Sequence, residues 1–407
     1  MHDICMYDVI VIGAGAAGMM CAITSARDGK KVLLLEKLSK IGAKLKATGG
    51  GKCNLTNTLG IEDFMASFSR SGRFMRDALI GFDNQALIDF FLSIGVKTDT
   101  LDGFRVFPDS HNSSSVLSAL EEEMKRLHVK IICSYKIKNI NEKKNRIVGV
   151  DEFKSKNVVI ATGGLGYPTL GAYGDGYKFA KESGHKVTEL SPAMMPLHVK
   201  EVWVTNCRAD TIPKVQISVN IPKYTKLKAT GDLIFTKTGI RGPVVLDFSR
   251  EITPLLKKYD EIPLHVSMIN GKNEEDIRLH VKKNSDKTIF ESISILLPKS
   301  VANELLKIVE IEPTCRYKNI DGIKRDRLIK ILAKTPLHVN GHDGFEKAMI
   351  TRGGVSLKEI DPKTMQSRLI KGLYFCGEVV DLDGPCGGYN LQWSFSSGHL
   401  AGELKNG

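Results

Sequence analysis

A chain of 407 residues is longer than one hydrophobic core ordinarily supports, so two or more structural units are expected. Its 42% hydrophobic, 26% charged and 7% aromatic residues exclude a disordered or fibrous protein, and no low-complexity tract or fixed-period repeat appears. The formal charge of +12 invites an anionic partner, yet Lys214, Lys223, Lys226, Lys228, Lys257, Lys258, Lys282 and Lys283 run through the middle of the chain without interleaved aromatics, so they read as a solvated face and nucleic acid is not expected.

The opening residues, MHDICMYDVI, lack a basic region followed by an apolar stretch and a cleavage site, which makes the cytoplasm the expected location. Eight cysteines (Cys5, Cys21, Cys53, Cys133, Cys207, Cys315, Cys376, Cys386) show no CxxC pair and no Cys/His ligand spacing, so reduced thiols and no metal are expected. The uncharged run from Val9 to Ala26 is long enough to raise the question of a membrane helix, but Gly13, Gly15 and Gly18 divide it into a strand, a turn and a helix.

That division is the first chemical signal. Tyr7 to Ile12 reads as a buried parallel strand, GAGAAG follows at once, a helix runs to about Asp28, and KVLLLEK is a second strand ending at Glu36 with Lys37 beside it. Glu36 follows Gly18 by 18 residues, close to the dinucleotide fingerprint. Gly13 permits the tight turn, Gly15 lets backbone approach a pyrophosphate, and Gly18 lets helix and strand pack closely. The backbone of Ala14, Ala16 and Ala17 then offers N–H groups at the helix start. Glu36 accepts from a ribose and repels a 2′-phosphate, leaving FAD or NAD as the ligand.

Next comes ATGGGKCNLTN (47–57), without strand or helix pattern, in which Gly49, Gly50 and Gly51 allow main-chain N–H groups to converge as a nest. The segment at 156–185 opens with a strand, Asn157 to Ala161, ending in Thr162, Gly163 and Gly164. After Ser191-Pro192 the βα rhythm stops: KVQISVNI and GDLIFTKT alternate like an antiparallel sheet or small barrel through about Asn284, and SVANELLKIVE and KRDRLIKILAK read as amphipathic helices. His338 and His342 in LHVNGHDG make no metal pair. The final stretch, 372–402, runs strand, Gly377-Glu378, a turn with Gly387 and Gly388, then a helix from about Leu391. Three such segments suit a long flavin ligand better than NAD, with the ring near a second helix N-terminus that stabilises negative charge by about 0.3–1 kcal/mol.

These segments, with TGIRGP, TRGGV and CGEVVDLDGPCGGYNLQWSFSSG, resemble the bacterial family of NAD(P)/FAD-dependent oxidoreductases that includes aminoacetone-oxidase-like proteins and a dehydro-bile-acid reductase, over nearly the whole chain. The resemblance implies an α/β fold: a discontinuous Rossmann-type FAD-binding domain (1–190 and 335–407) carrying an inserted β-rich, barrel-like domain (191–284) and a small helical subdomain (285–334). It implies tightly held, non-covalent FAD, with Ala47, Thr48, Lys52, Cys53, Asn54 and Leu55 lining the cradle, Asn54 facing the flavin's polar edge, and Lys52 or Lys44 balancing phosphate charge. Ile137 in KIICSYKIKNI corresponds to the edge segment that pairs with adenine, and Ala161, Asp381, Tyr389, Asn390, Leu391 and Gln392 complete the cofactor set.

On the substrate side Tyr167 can donate a proton and Arg352 can hold a carboxylate or carbonyl, and both residues also fit structural roles. No second GxGxxG lies on its own strand-turn-helix unit, so NAD(P)H, if used, binds transiently. The expected activity is hydride transfer from FAD to an unsaturated or carbonyl small molecule. An amine or aminoketone oxidase using oxygen and a flavin-dependent RNA-modifying protein are the alternatives, and the oligomeric state is left open.

Overall fold

The computed structural model describes residues 6–405, so Cys5 lies outside the described residues. The chain divides into two units, residues 1–191 with 350–407, and residues 192–349.

In the first unit a five-stranded sheet runs in the order Leu373–Phe375, Val158–Ile160, Val9–Ile12, Val32–Leu35, Lys130–Ile132. Every neighbouring pair is parallel. The four strands from Leu373–Phe375 to Val32–Leu35 are apolar and buried at every position, as parallel strands covered on both faces must be. Helix Ala16–Arg27 is itself buried along most of its length and packs against the C-terminal helix Tyr389–Gly402, where the Ser25 hydroxyl donates to the Gly402 carbonyl at 2.7 Å.

The strand read across KIICSYKIKNI is shorter than expected. It ends at Ile132, because Ser134 turns into the left-handed region (φ 56°) and donates its N–H to the Leu38 carbonyl. Ile140–Glu142 belongs to a separate sheet with Ile147–Val150 and Phe153–Ser155, leaving Ile137 half-buried in the stretch between the two sheets.

The second unit is a closed antiparallel barrel in the order Leu197–Val199, Gly239–Arg241, Lys228–Phe235, Thr211–Val219, Ile262–Ser267, Thr335–His342. The expected β-rich half is corrected at both of its inner limits. Helix Glu274–Lys283 already begins before Asn284, started by a reciprocal cap in which Asn273 and Asp276 satisfy each other's backbone N–H. Strand Thr335–His342, expected in the cofactor domain, instead closes the barrel by pairing Leu337 with Leu264 and His342 with Leu197. The first unit therefore resumes at Ile350. The signal was present: in TPLHVNGH, Leu337 and Val339 are buried while Pro336 and Asn340 are exposed, the two-residue period of a half-buried strand. Helices Lys299–Ile308 and Gly322–Ala333 share one apolar core with the barrel. Among the described residues no helix is long and apolar enough to cross a membrane.

Candidate functional site

The site is built from the sheet's carboxyl ends in the first unit. At the first turn Gly13 adopts φ +100° and donates its N–H to Leu35 at 2.8 Å. A methyl group on Gly18 would overlap the Gly13 carbonyl oxygen, so helix and turn meet at backbone distance. At Gly15, by contrast, a methyl group would find nothing within 4 Å. The helix that starts there has no capping side chain and no acid in its first turn, which leaves its first N–H groups without a side-chain partner and its dipole favourable for an anion.

Glu36 sits at the end of the second strand with both oxygens engaged: one accepts the Ala14 N–H and the other the Leu38 N–H, each at 2.8 Å. A carboxylate has about four lone-pair positions, so the group is fixed in orientation and keeps acceptor capacity. Lys37 faces away from this duty, bonded to Asp175 at 2.6 Å with its ammonium 3.9 Å from the Tyr173 ring centre.

The glycine loop and the C-terminal turn are joined across the length of the chain. Gly49, Gly50 and Gly51 take φ of 58°, 66° and 90°, and positions 50 and 51 have open space where side chains would stand. Ala47 and Lys52 are exposed, Thr48 donates to the Leu45 carbonyl, and Leu55 is buried. Asn54, expected to face a flavin, is turned inward: its amide nitrogen donates to Thr56 and Val106, and its oxygen accepts the Gly388 N–H at 2.9 Å. Gly388 (φ 84°) presses so close to the Thr56 carbonyl that no side chain fits there, and Asn57 donates to the Gly387 carbonyl at 2.9 Å.

A second junction lies at the third strand end. Leu165 N–H donates to Thr351 Oγ1 (2.7 Å), Thr351 N–H to one oxygen of Glu378 (2.8 Å), and Lys44 to the other (2.7 Å). Gly163 and Gly164 lie against this network, where a methyl at Gly164 would stand 2.6 Å from the Glu378 carboxylate. Beside it the Thr162 hydroxyl is buried with no hydrogen-bond partner, a costly arrangement that a bound polar ligand would relieve. Lys44 thus balances Glu378. Burial pushes the Asp381 carboxyl above its ordinary range, with a Thr188 hydrogen bond and the nearby Arg352 charge opposing the rise.

The start of the last helix is also tied internally. Asn390 accepts from Gly384 N–H and donates to the Gly384 and Pro385 carbonyls, clipping the turn. The Tyr389 ring packs against Phe64, Phe68 and Phe104, with centroids 5.0, 6.0 and 6.4 Å away. Gln392 is 1% exposed and donates to Phe82 and Ser396. Leu391 is half-buried. These side chains, expected to touch a cofactor, also shape the turn through their contacts within the protein.

Gly377 donates its N–H to Ser397 Oγ at 2.9 Å and accepts from Trp393 Nε1 at 3.2 Å. Trp393 is 1% exposed, so Trp393→Ala is expected to cost about 3–5 kcal/mol in denaturant unfolding. Trp393→Phe, which keeps most of the packing and leaves the Gly377 carbonyl accepting the Val380 N–H at 3.3 Å, should cost about 0.5–1.5 kcal/mol. Thr351 and Tyr177 were missed from sequence. Thr351 stands beside Arg352 in TRGGV, and Tyr177, in GDGYKF, is buried with its hydroxyl 3.4 Å from the Glu378 carbonyl. Tyr167 is half-buried with φ 56°.

Cys21, Cys53, Cys133, Cys207, Cys315 and Cys376 are free thiols. Burial pushes the Cys53 thiol up to about 11, against a Thr48 hydrogen bond, and Cys21 and Cys207 up to about 12. The folded chain keeps these protons to a higher pH than the unfolded one, whose thiols ionise near 9.0. Their contribution is therefore constant below about pH 9 and is lost as pH rises toward 11 and 12. The thermal midpoint should fall between about pH 8 and about pH 10, and a disulfide reagent at pH 8 should label Cys21, Cys53 and Cys207 only after unfolding. Among the described residues no three His, Cys, Asp or Glu side chains are grouped to hold a metal.

Over 96% of this chain it is 32% identical to the 3-dehydro-bile acid delta(4,6)-reductase of Clostridium scindens, covering 97% of that protein. It is 31% identical to the ribosomal RNA dihydrouridine synthase of Haemophilus influenzae, covering 96% of each. The fold is shared with the 3-ketosteroid-delta4-(5alpha)-dehydrogenase of Rhodococcus jostii, at TM-score 0.52 and 15% identity over 98% of this chain and 97% of that one. A family model described as "HI0933-like protein Rossmann domain" matches residues 7–404, and the chain belongs to that family.

Proposed function

We propose that this chain is an FAD-dependent oxidoreductase that uses NAD(P)H to saturate a carbon–carbon double bond conjugated to a carbonyl. The observation that carries the reading is the open, uncapped helix start at Gly15, set beside a pre-oriented Glu36 carboxylate. Together they suit the pyrophosphate and ribose of FAD held without a covalent bond. The unpartnered Thr162 hydroxyl and the open glycine nest at 50–51 fit the same long ligand. When bound, FAD supplies a two-electron carrier able to pass hydride.

The substrate class draws support from the relatives. A delta-4 bond beside a 3-keto group and the C5–C6 bond of uracil share one electronic property: a carbonyl draws density from the distal carbon. Such a bond takes hydride at the far carbon and a proton at the near one, while NAD(P)H becomes NAD(P)⁺. In this reading the first-turn N–H groups hold phosphate, Glu36 accepts from ribose hydroxyls, Tyr167 gives the proton, and Arg352 draws the carbonyl oxygen. NAD(P)H binds transiently and the substrate is a free small molecule.

A second reading places the double bond in a uracil of ribosomal RNA. It is favoured by the 31% identity over 96% of the chain to a dihydrouridine synthase and by the +12 charge.

Purified protein should be yellow, release FAD on denaturation, bleach anaerobically with NADH or NADPH, and regain colour with a steroid 4-en-3-one. Failure of both nicotinamides to bleach it would remove the reductase reading, and peroxide formed from amines without nicotinamide would put an amine oxidase in its place.

A further inference from the structure

The lysines of the second unit read along the sequence as scattered, but the expectation of no interleaved aromatics is corrected by Tyr224, between Lys223 and Lys226, and Tyr259, after Lys258; folding gathers several of these residues. Strand Thr211–Val219 pairs on one side with Lys228–Phe235 and on the other with Ile262–Ser267, with Val219 opposite Leu264. The Asn220 N–H extends this pairing to the Pro263 carbonyl at 2.8 Å. The turn at 220–227 and the segment entering at 257–261 therefore come to the same end of the barrel. There Tyr224 and Tyr259, 35 residues apart in sequence, stand edge to face with centroids 6.2 Å apart. The Lys223 ammonium lies 5.6 Å from the Tyr224 ring centre, and Tyr259 is 38% exposed.

The two stretches, PKYTKLK and KKYDE, carry five lysines and two acids, Asp260 and Glu261, the second paired with Lys200 at 3.2 Å. Lys223, Lys226, Lys228 and Lys258 are exposed, and none forms an ion pair among the described residues. Two partly exposed aromatic rings set among free ammonium groups are the combination that binds single-stranded nucleic acid: the lysines meet phosphates and the rings offer faces for unstacked bases.

We propose that this end of the barrel docks single-stranded RNA, with Lys223, Lys226 and Lys258 on the phosphate backbone and Tyr224 and Tyr259 stacking bases. The proposal rests on the second reading above, in which the reduced double bond is a uracil's. It assigns the RNA-holding surface to the barrel rather than to the cofactor unit.

The test is fluorescence anisotropy of the full-length protein with a labelled single-stranded RNA of about 12 nucleotides, titrated between about 50 and 200 mM salt. Combining Lys223→Ala, Lys226→Ala and Lys258→Ala should lower the slope of log affinity against log salt by about 2, since each phosphate contact on a single strand contributes about 0.7. Tyr224→Ala and Tyr259→Ala should each weaken binding about 5- to 150-fold, whereas the corresponding Phe variants retain it. Equal binding by wild type and the lysine variant overturns the proposal, as does binding of phosphatidylserine-rich vesicles in place of RNA. Dihydrouridine measured in a ribosomal RNA fragment separates the two ideas. If it forms while the variants bind as wild type does, the surface is wrong and the second reading stands. If the RNA is held through these lysines but no uridine is reduced, the second reading falls and the surface remains.

Discussion

Gly15→Val is expected to yield a folded protein that carries no flavin, while Gly18→Val is expected to yield little folded protein. The two glycines stand three positions apart in one motif and differ in what surrounds them. Gly15 has extended backbone angles (φ −83°, ψ −173°), which valine adopts readily, and open space beyond its Cα. Added carbon there costs the apo fold little but fills the position proposed for phosphate. Each hydrogen bond to a charged group is worth about 1.5–3 kcal/mol, so losing one or two weakens flavin binding about 10- to 25,000-fold. Gly18 faces the Gly13 carbonyl oxygen at overlap distance, with its carbon at 3.1 Å and the Ala161 methyl at 3.3 Å. Those atoms are backbone or core and cannot move aside, so the cost exceeds the about 1–3 kcal/mol typical of overpacking. Flavin absorbance per chain and the melting temperature of the apoprotein report the two effects separately. A Gly15→Val protein with full flavin content would show that the pyrophosphate lies elsewhere.

Tyr167→Phe is expected to lower kcat for enone reduction about 100- to 10,000-fold, the usual worth of a positioned general acid. Tyr167 holds a left-handed backbone (φ 56°, ψ 68°) directly before Pro168, a conformation that costs a bulky residue about 1–3 kcal/mol and persists where the surroundings enforce it. Since the phenol oxygen alone is removed, flavin content and the rate of bleaching by NAD(P)H should not change. Unchanged turnover would make Tyr167 a structural residue of the turn.

How much of this was legible beforehand follows from range. The strand, turn, helix and acid between Val9 and Glu36 are one contiguous segment whose burial and glycine spacing state its geometry, and the structure has them as read. The glycine loop was visible as an anomaly. Its bonding was not, because Asn54 meets Gly388, and Lys44 meets Glu378 334 residues away, only through the order of strands in the sheet. Asn54, Tyr389, Asn390 and Gln392 are polar or aromatic residues beside glycines, which looks the same whether they serve a ligand or pin a turn. The same limit hid Tyr224 and Tyr259, whose meeting depends on barrel register, and Thr351, which is one residue from the Arg352 that attracted notice.

The strand Thr335–His342 closes the barrel only after four intervening helices have been made. On the ribosome, Leu197–Val199 and Ile262–Ser267 must therefore wait with unsatisfied edges while the segment from Glu274 to Ala333 emerges. The parallel sheet waits longer still, for Leu373–Phe375. Nascent chains arrested before that point should be protease-sensitive and chaperone-bound, and their binding to chaperones should drop in two steps as the two late strands clear the exit tunnel.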